Sequence, residues 1–129
     1  MNAAFVQLDL SQAAQYAVDA SLLPNLMDTF STSLTKERLA IQDQLTGENV
    51  EATRMSLHAL KGFVPIFCKP ALAQEVIALE ALGRKESLQT LRPRLSQLLD
   101  MLAMLEQDVH LWQERYHRDP HDPSLFPSA

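Results

Sequence analysis

The sequence predicts an all-α protein, folded as an antiparallel up-down four-helix bundle with a short N-terminal helix. Three observations lead to this fold class. The chain has only three glycines, and Leu and Ala outnumber the β-branched residues, which is typical of helices. Apolar residues recur at helical spacing in four successive segments. Short connections join these segments, which favours antiparallel packing of neighbouring helices.

Composition and charge limit the kind of protein that this chain can be. A length of 129 residues fits one domain, and 47% hydrophobic with 21% charged residues is an ordinary globular composition. The formal charge of −5 and the lack of a basic run argue against general nucleic-acid binding. No run of about 18 apolar residues predicts a membrane span. Cys68 is the only cysteine, so we expect a buried thiol in a reducing compartment and a cytoplasmic protein.

Two of the four predicted helices come first in the chain. Residues 21–46 predict one helix, with Ser21 as its cap and Pro24 in its first turn. The next helix begins near Glu48 and must end or bend at Pro65, which lacks an N–H donor and clashes with the preceding turn. The residues expected to face inward are Leu23, Met27, Phe30, Leu34, Ile41 and Leu45 in the first helix, and Val50, Leu57, Leu60 and Val64 in the second.

The last two helices are separated by Gly83. The third follows Pro70, and the fourth spans about 30 residues, with Pro93 in its first turns or at a bend. The inward residues are Leu72, Val76 and Leu79 in the third helix, and two heptad series in the fourth, Leu88, Leu95, Leu102, Val109 and Tyr116, and Leu91, Leu98, Leu105 and Trp112. This repeat also permits a coiled-coil dimer, although in a bundle the other helices already cover that seam.

The two ends of the chain differ from the bundle helices. Segment 9–19 predicts a weaker helix, and residues 118–129, with three prolines, predict an irregular and mobile tail. The helical domain is therefore expected over residues 1–117. Because the last helix is the longest, its end needs cover. We expect the N-terminal segment to supply that cover through Phe5, Val6, Leu8 and Leu10, packed on Val109, Trp112 and Tyr116.

The stretch SLHALKGFVPIF, residues 56–67, contains the candidate site. His58, Lys61 and Gly62 stand at i, i+3 and i+4, so they share one face of the second helix. A glycine inside a helix lowers its stability by roughly 1 kcal/mol relative to alanine, so the presence of Gly62 calls for an explanation. An imidazole can be a nucleophile, a nearby ammonium attracts an anion, and glycine leaves room for a foreign surface. A phosphoryl group arriving on a partner protein would use all three. The structural alternative is an ordinary surface His–Lys pair, with a glycine that allows close packing of helices.

The pentapeptide HALKG, residues 58–62, resembles the H-x-[LI]-K-G signature of histidine-containing phosphotransfer (HPt) domains, the relay modules of multistep phosphorelays. The resemblance covers roughly residues 20–110, and the following helix carries the family's Leu-Glu pair at Leu79 and Glu80. It implies that His58 accepts the phosphoryl group and that Lys61 stabilises charge. It implies that Gly62 gives a receiver domain room to approach.

The resemblance also implies the docking surface and the partners. The receiver is expected to contact Ala59, Gly62, Phe63 and Glu80, the last being a polar group packed near the histidine helix. The implied partners are response-regulator receiver domains and a hybrid sensor histidine kinase, with a monomeric carrier between them. Mg²⁺ is expected in the receiver's acidic site, and this chain would have no cofactor of its own. Without a Gly-rich phosphate loop, no kinase activity is expected.

Departures from the family pattern leave two rival functions open. After the glycine the family has small residues and then a second glycine, whereas this chain has Phe63, Val64, Pro65 and Cys68. One rival is a degenerate HPt-like bundle that binds a receiver or kinase without accepting phosphate. The other is a structural helical adaptor that dimerises through the heptads. Three further histidines approach a ligand-like cluster, His110, His117 and His121. They lack nearby cysteines, so we expect no metal site.

Overall fold

The computed structural model describes residues 5–16, 20–47 and 49–126. Within this part of the chain the protein is all-α, as predicted, with no β-strand and one isolated antiparallel bridge between Leu8 and Cys68. Five α-helices, numbered in chain order, are α1 (Ala13–Tyr16), α2 (Leu23–Gln44), α3 (Val50–Phe63), α4 (Pro70–Leu82) and α5 (Leu88–Arg118). Short 3₁₀ helices cover Ala20–Leu22, Val64–Ile66 and Pro123–Leu125.

The helix starts follow local sequence chemistry, with two differences from prediction. Pro24 lies in the first turn of α2, but the N-cap of this helix is Leu22, because a 3₁₀ turn that includes Ser21 comes before the helix. Asn49 caps α3, its side-chain oxygen accepting from the amide N–H three residues later at 3.0 Å. Val50, expected to face inward, is the first residue of α3 and is exposed.

Helix α5 is the longest element, with 31 residues. Ser87 caps it by accepting from the amide N–H of Thr90 at 3.2 Å, and the helix continues past the exposed Pro93. Both heptad series are buried, apart from the partly buried Tyr116 at the end of the first. The heptad seam is therefore covered by the bundle itself, which uses the surface that a coiled-coil dimer would need.

Neighbouring helices pack antiparallel in a four-helix bundle. Helix α2 packs against α3 and α5, and α4 packs against α3 and α5. The α2–α5 pair runs antiparallel, since Asp28 accepts from Gln113 while Thr35, two turns later in α2, donates to Glu106 of α5 at 2.7 Å. Arg38 also pairs with the buried Glu106. These polar contacts fix the register of two helices whose shared interior is otherwise mostly leucine.

A buried carboxylate attaches the N-terminal segment to α5. Asp108 Oδ2 accepts from the amide N–H groups of Gln7 and Leu8, at N–O distances of 2.6 and 3.0 Å. Leu8 is buried as expected, but Val6 is exposed and gives no cover. Of the helix predicted over 9–19, residues 9–12 are not helical, and α1 covers Ala13–Tyr16. Residues 17–19 of that prediction lie outside the described residues.

The C-terminal tail supplies the rest of the cover over α5. The indole Nε1 of Trp112 donates to the carbonyl oxygen of Leu125 at 2.9 Å, and Leu125 is only 1% exposed. The ring of Phe126 stands edge-on to the indole. Where the sequence predicts an irregular, mobile tail, residues 123–125 form a 3₁₀ turn, and a leucine side chain and one indole hydrogen bond attach this segment to the bundle.

Candidate functional site

His58 lies on the outer face of α3. Leu57 and Leu60 of the same helix point into the core and are fully buried, and the helical period turns His58 outward. The side chain of His58 is 72% exposed. A partner protein can therefore reach the imidazole without any rearrangement of the bundle.

The carboxylate of Glu80, on the adjacent helix α4, lies directly beside His58. The Glu80 side chain is 5% exposed, and its Oε1 is 3.2 Å from His58 Nδ1. Arg84, four residues later in the turn that follows α4, donates to the same oxygen at 2.7 Å. The Nζ of Lys61 is 3.6 Å from the other oxygen, Oε2. One buried carboxylate thus links His58 to two cations, one from α3 and one from the turn after α4.

Glu80 stays ionised at neutral pH. The hydrogen bond from His58 lowers the pKa of Glu80 most, burial opposes this effect, and Arg84 and Lys61 lower the pKa further. An ionised carboxylate can only accept hydrogen bonds, so the proton of the neutral imidazole must be on Nδ1. Consequently the lone pair of neutral His58 is on Nε2, the nitrogen that is free to act as a nucleophile.

Gly62 has no packing reason to be a glycine. Beyond its own helical turn, a Cβ at this position would meet no heavy atom of the described residues within 4 Å. The residue is exposed and one turn beyond His58. The structural alternative, close packing of another helix on the glycine, therefore does not apply to the described part of the chain. The open space lies on the outside of the bundle.

The residues that depart from the HPt pattern lie away from the outer face of His58. Phe63 is partly buried, with its ring edge-on to Phe30 at 5.7 Å between centroids. Pro65 lies in the 3₁₀ turn that follows α3. Cys68 is buried, and desolvation, with a smaller contribution from Asp9, raises the pKa of its thiol to about 12. The expected docking contact through Phe63 is thus weakened, since this ring faces the core.

Four side chains near His58 are not indicated by the sequence analysis. An open cleft of about 320 Å³ beside the imidazole is lined by Glu51, Arg54, Met55, His58, Glu80 and Arg84. Arg54 and Met55 precede His58 by four and three residues, and Arg84 follows Glu80 by four. That helical spacing was the available signal. Ala59, by contrast, was predicted to contact a receiver and is half-buried beside His58.

Other kinds of site are not assembled in the described part of the chain. No group of three or more His, Cys, Asp and Glu residues there could hold a metal ion. The three histidines outside the candidate site, His110, His117 and His121, are all exposed. Nor is any described helix both long and apolar enough to cross a membrane.

Comparisons with family models, with curated proteins and with solved structures give no match to this chain. The HPt resemblance therefore depends on the HALKG pentapeptide and its helical setting. The physical case for a site depends on the contacts among His58, Lys61 and Glu80 and on the open space at Gly62.

Proposed function

We propose that this protein is an HPt module, which carries a phosphoryl group on His58 between the aspartates of receiver domains. One observation carries the proposal: an exposed imidazole whose Nδ1 is bound by a buried, ionised Glu80. That arrangement fixes the tautomer of an accessible histidine, which a chance surface histidine does not require. Lys61 beside the same carboxylate and the open space at Gly62 add the charge and the access that phosphoryl transfer between proteins needs.

The proposed acceptor step is an in-line displacement at phosphorus. The Nε2 lone pair of neutral His58 attacks the phosphorus of a receiver's aspartyl phosphate, and an N–P bond forms. The bond between phosphorus and the aspartate oxygen breaks, and its electron pair leaves with the aspartate carboxylate. The proton on Nδ1 stays in place, so the ring becomes positively charged. Glu80 stabilises that charge because its carboxylate already accepts from Nδ1.

Transfer to a second receiver follows the same path in reverse. An aspartate of that receiver attacks the phosphorus, the N–P bond breaks, and its electron pair returns to Nε2. The cation beside Glu80 makes His58 a better leaving group than a neutral phosphoimidazole would be. The step depends mainly on positioning and charge stabilisation, and Mg²⁺ belongs to the receiver's acidic site.

Lys61 and Arg84 have different tasks in this proposal. Arg84 makes a direct hydrogen bond to Glu80 at 2.7 Å and helps to keep that carboxylate ionised. Lys61 is held more loosely, at 3.6 Å, and is exposed. Its ammonium group can therefore turn toward the phosphoryl oxygens on His58 without leaving a buried charge unpaired.

The proposed partners are response-regulator receiver domains and a hybrid sensor histidine kinase. The protein would be a monomeric cytoplasmic carrier with no kinase activity of its own. The degenerate-module rival was motivated by Phe63 and Pro65, and both lie toward the core or the turn after α3. The adaptor rival needs the heptad seam, whose residues are buried in the bundle. The places of Phe63 and Pro65 therefore do not support the degenerate module, and the burial of the heptad residues does not support the adaptor.

A phosphotransfer profile tests the proposed function. Each receiver domain of the source genome is phosphorylated with labelled phosphate, and the protein is then added with Mg²⁺. At least one receiver should transfer label to the wild-type protein, and the label should be acid-labile and base-stable. The variant His58→Gln should accept no label, whereas His110→Gln, which changes an exposed histidine of α5, should accept it normally. Binding of a phosphorylated receiver without any uptake of label would support the degenerate module instead.

A further inference from the structure

The outer surface of α3 has two chemically different edges. Toward α4, the side chains of Arg54, His58 and Lys61 follow one another at i, i+4 and i+7. The same spacing relates Met55, Ala59 and Gly62, which form a second row beside the first. We call the first set the cationic edge and the second set the apolar edge. His58 therefore lies at the boundary between charged and apolar surface.

The cationic edge is continued by the turn that follows α4. The guanidinium of Arg84 in that turn joins the guanidinium of Arg54 and the ammonium of Lys61, and all three cations are at least partly exposed. Two of the opposing carboxylates belong to Glu51, which pairs with Arg54 at 3.1 Å, and to the buried Glu80. This edge fits a partner surface of negative charge, such as a phosphorylated aspartate among further carboxylates.

The apolar edge has no apparent role inside the bundle. Met55 is 67% exposed, the highest value among the large apolar side chains of the described residues. Gly62, two turns later, opens onto free space, and the small Ala59 lies between them. An unbranched methionine beside small residues forms an adaptable apolar contact for a protein surface. The edge thus combines one protruding side chain with a shallow, unobstructed strip.

We infer that Met55 is the apolar anchor that selects the partner, and that the two edges fix the orientation of docking. This inference rests on the proposed function. The acidic phosphorylation pocket of a receiver lies over the cationic edge, and an apolar patch beside that pocket lies over Met55, Ala59 and Gly62. Charge complementarity sets which way round the receiver binds, and the contact with Met55 sets which receiver binds. The sequence had suggested Phe63 for this anchoring, but its ring faces the core.

The test compares three variants with one receiver, the one that labels the wild-type protein fastest. Met55→Glu places a negative charge where an apolar patch should dock and should raise the Kd for the beryllofluoride-activated receiver at least tenfold. Met55→Leu keeps an apolar side chain and should bind nearly as the wild type does. Met104→Glu makes the same chemical change at an exposed methionine of α5 and should leave the Kd unchanged.

A small phosphodonor separates docking from acceptor chemistry. Phosphoramidate needs no docking surface, so it should phosphorylate His58 equally well in the wild type and in Met55→Glu. Loss of that reaction in Met55→Glu would show damage to His58 itself and would overturn the docking role. Unchanged receiver binding by Met55→Glu, with normal labelling of the wild type, would overturn this inference alone. If no receiver labels the wild type, the proposed function fails and the inference fails with it.

Discussion

Glu80 is the residue that most distinguishes this site from an ordinary surface histidine. A surface histidine usually has water at both ring nitrogens, and its tautomer is then not fixed. Here a carboxylate that is 5% exposed occupies one nitrogen, and Arg84 and Lys61 keep that carboxylate from being a lone buried charge. The arrangement holds the proton of a neutral imidazole on Nδ1 and leaves the nucleophilic nitrogen on the outside. It also supplies a counter-ion for the positive charge that a phosphoimidazole would carry under the proposed function.

The lowered pKa of Glu80 predicts a pH-dependent contribution to stability. Its pKa in the folded protein lies below the ordinary value of 4.5, so the stabilisation is complete above that pH and is lost as the pH falls through the folded pKa. We therefore expect the difference in unfolding free energy between the wild type and Glu80→Gln to shrink when urea unfolding is repeated below about pH 4.5.

Glu51→Gln is the matched control for this measurement. It changes an exposed carboxylate of the same cleft whose pair with Arg54 is worth little, so its unfolding free energy should stay close to that of the wild type at each pH. A Glu80→Gln difference that stays the same from neutral to acidic pH would contradict the ionised, hydrogen-bonded carboxylate.

Gly62 predicts opposite effects on stability and on binding. A side chain there meets open space, so Gly62→Ala should raise the free energy of unfolding by about 0.5–1 kcal/mol, the usual gain in a helix. Gly62→Gln should also fold normally, yet it should block the approach of a receiver and weaken its binding. Urea unfolding and receiver titration measure the two effects.

Gly83 provides the contrasting substitution in the same chain. A Cβ at Gly83 would stand 3.2 Å from the carbonyl oxygen of Leu79, so Gly83→Ala should gain no stability or lose some. If Gly62→Gln binds the receiver as tightly as the wild type, the space at Gly62 serves another purpose.

At the scale of elements, α5 depends on both ends of the chain for its cover. Asp108 holds the N-terminal segment through two backbone amides, and Trp112 holds the C-terminal tail through its indole N–H. These attachments close the end of the bundle toward which α3 runs. They stabilise the framework that keeps α3 and α4, and therefore His58 and Glu80, side by side.

The tail attachment can be tested with one buried and one exposed apolar residue. Leu125→Ala should lower the free energy of unfolding by about 2–4 kcal/mol, since it removes a fully buried side chain. It should also shift the emission of Trp112, the only tryptophan, to longer wavelength. Val6→Ala, at an exposed position, should change neither quantity. Equal stability of the two variants would mean that the tail does not support the bundle.

The helices could be predicted from the sequence because their signals are local. Apolar spacing and prolines placed α2, α4 and α5 within a few residues of their observed ends. The contact of Asp108 with Gln7 joins residues that are 101 positions apart, and no periodic pattern links them. The sequence predicts an irregular tail because prolines break helices, whereas the 3₁₀ turn Pro123–Leu125 begins with a proline and buries Leu125.

The candidate site was only partly predictable, for a similar reason. His58, Lys61 and Gly62 belong to one helical segment, so their shared face followed from spacing alone. The partner of the imidazole comes from another helix, 22 residues away, and Glu80 entered only through the family resemblance. Phe63, which the sequence predicts as a docking contact, is partly buried, and from the last position of α3 its ring turns toward Phe30.

At the scale of the whole molecule, local charge matters more for docking than net charge. The chain carries a formal charge of −5, which alone would repel an acidic receiver pocket. Arg54, Lys61 and Arg84 nevertheless stand together around His58, on the face that the bundle leaves open. The rest of the described chain is a helical framework with a buried heptad seam.

The most direct test of the central claim is to locate the phosphoryl group by NMR. The protein is ¹⁵N-labelled and phosphorylated by its receiver, and long-range ¹H–¹⁵N and ³¹P couplings identify the ring nitrogen that carries phosphorus. We expect phosphorus on Nε2 of His58, with a proton remaining on Nδ1 beside Glu80. Phosphorus on Nδ1, phosphorus on another residue, or a receiver that binds without phosphorylating the protein would contradict His58 as the acceptor that Glu80 orients.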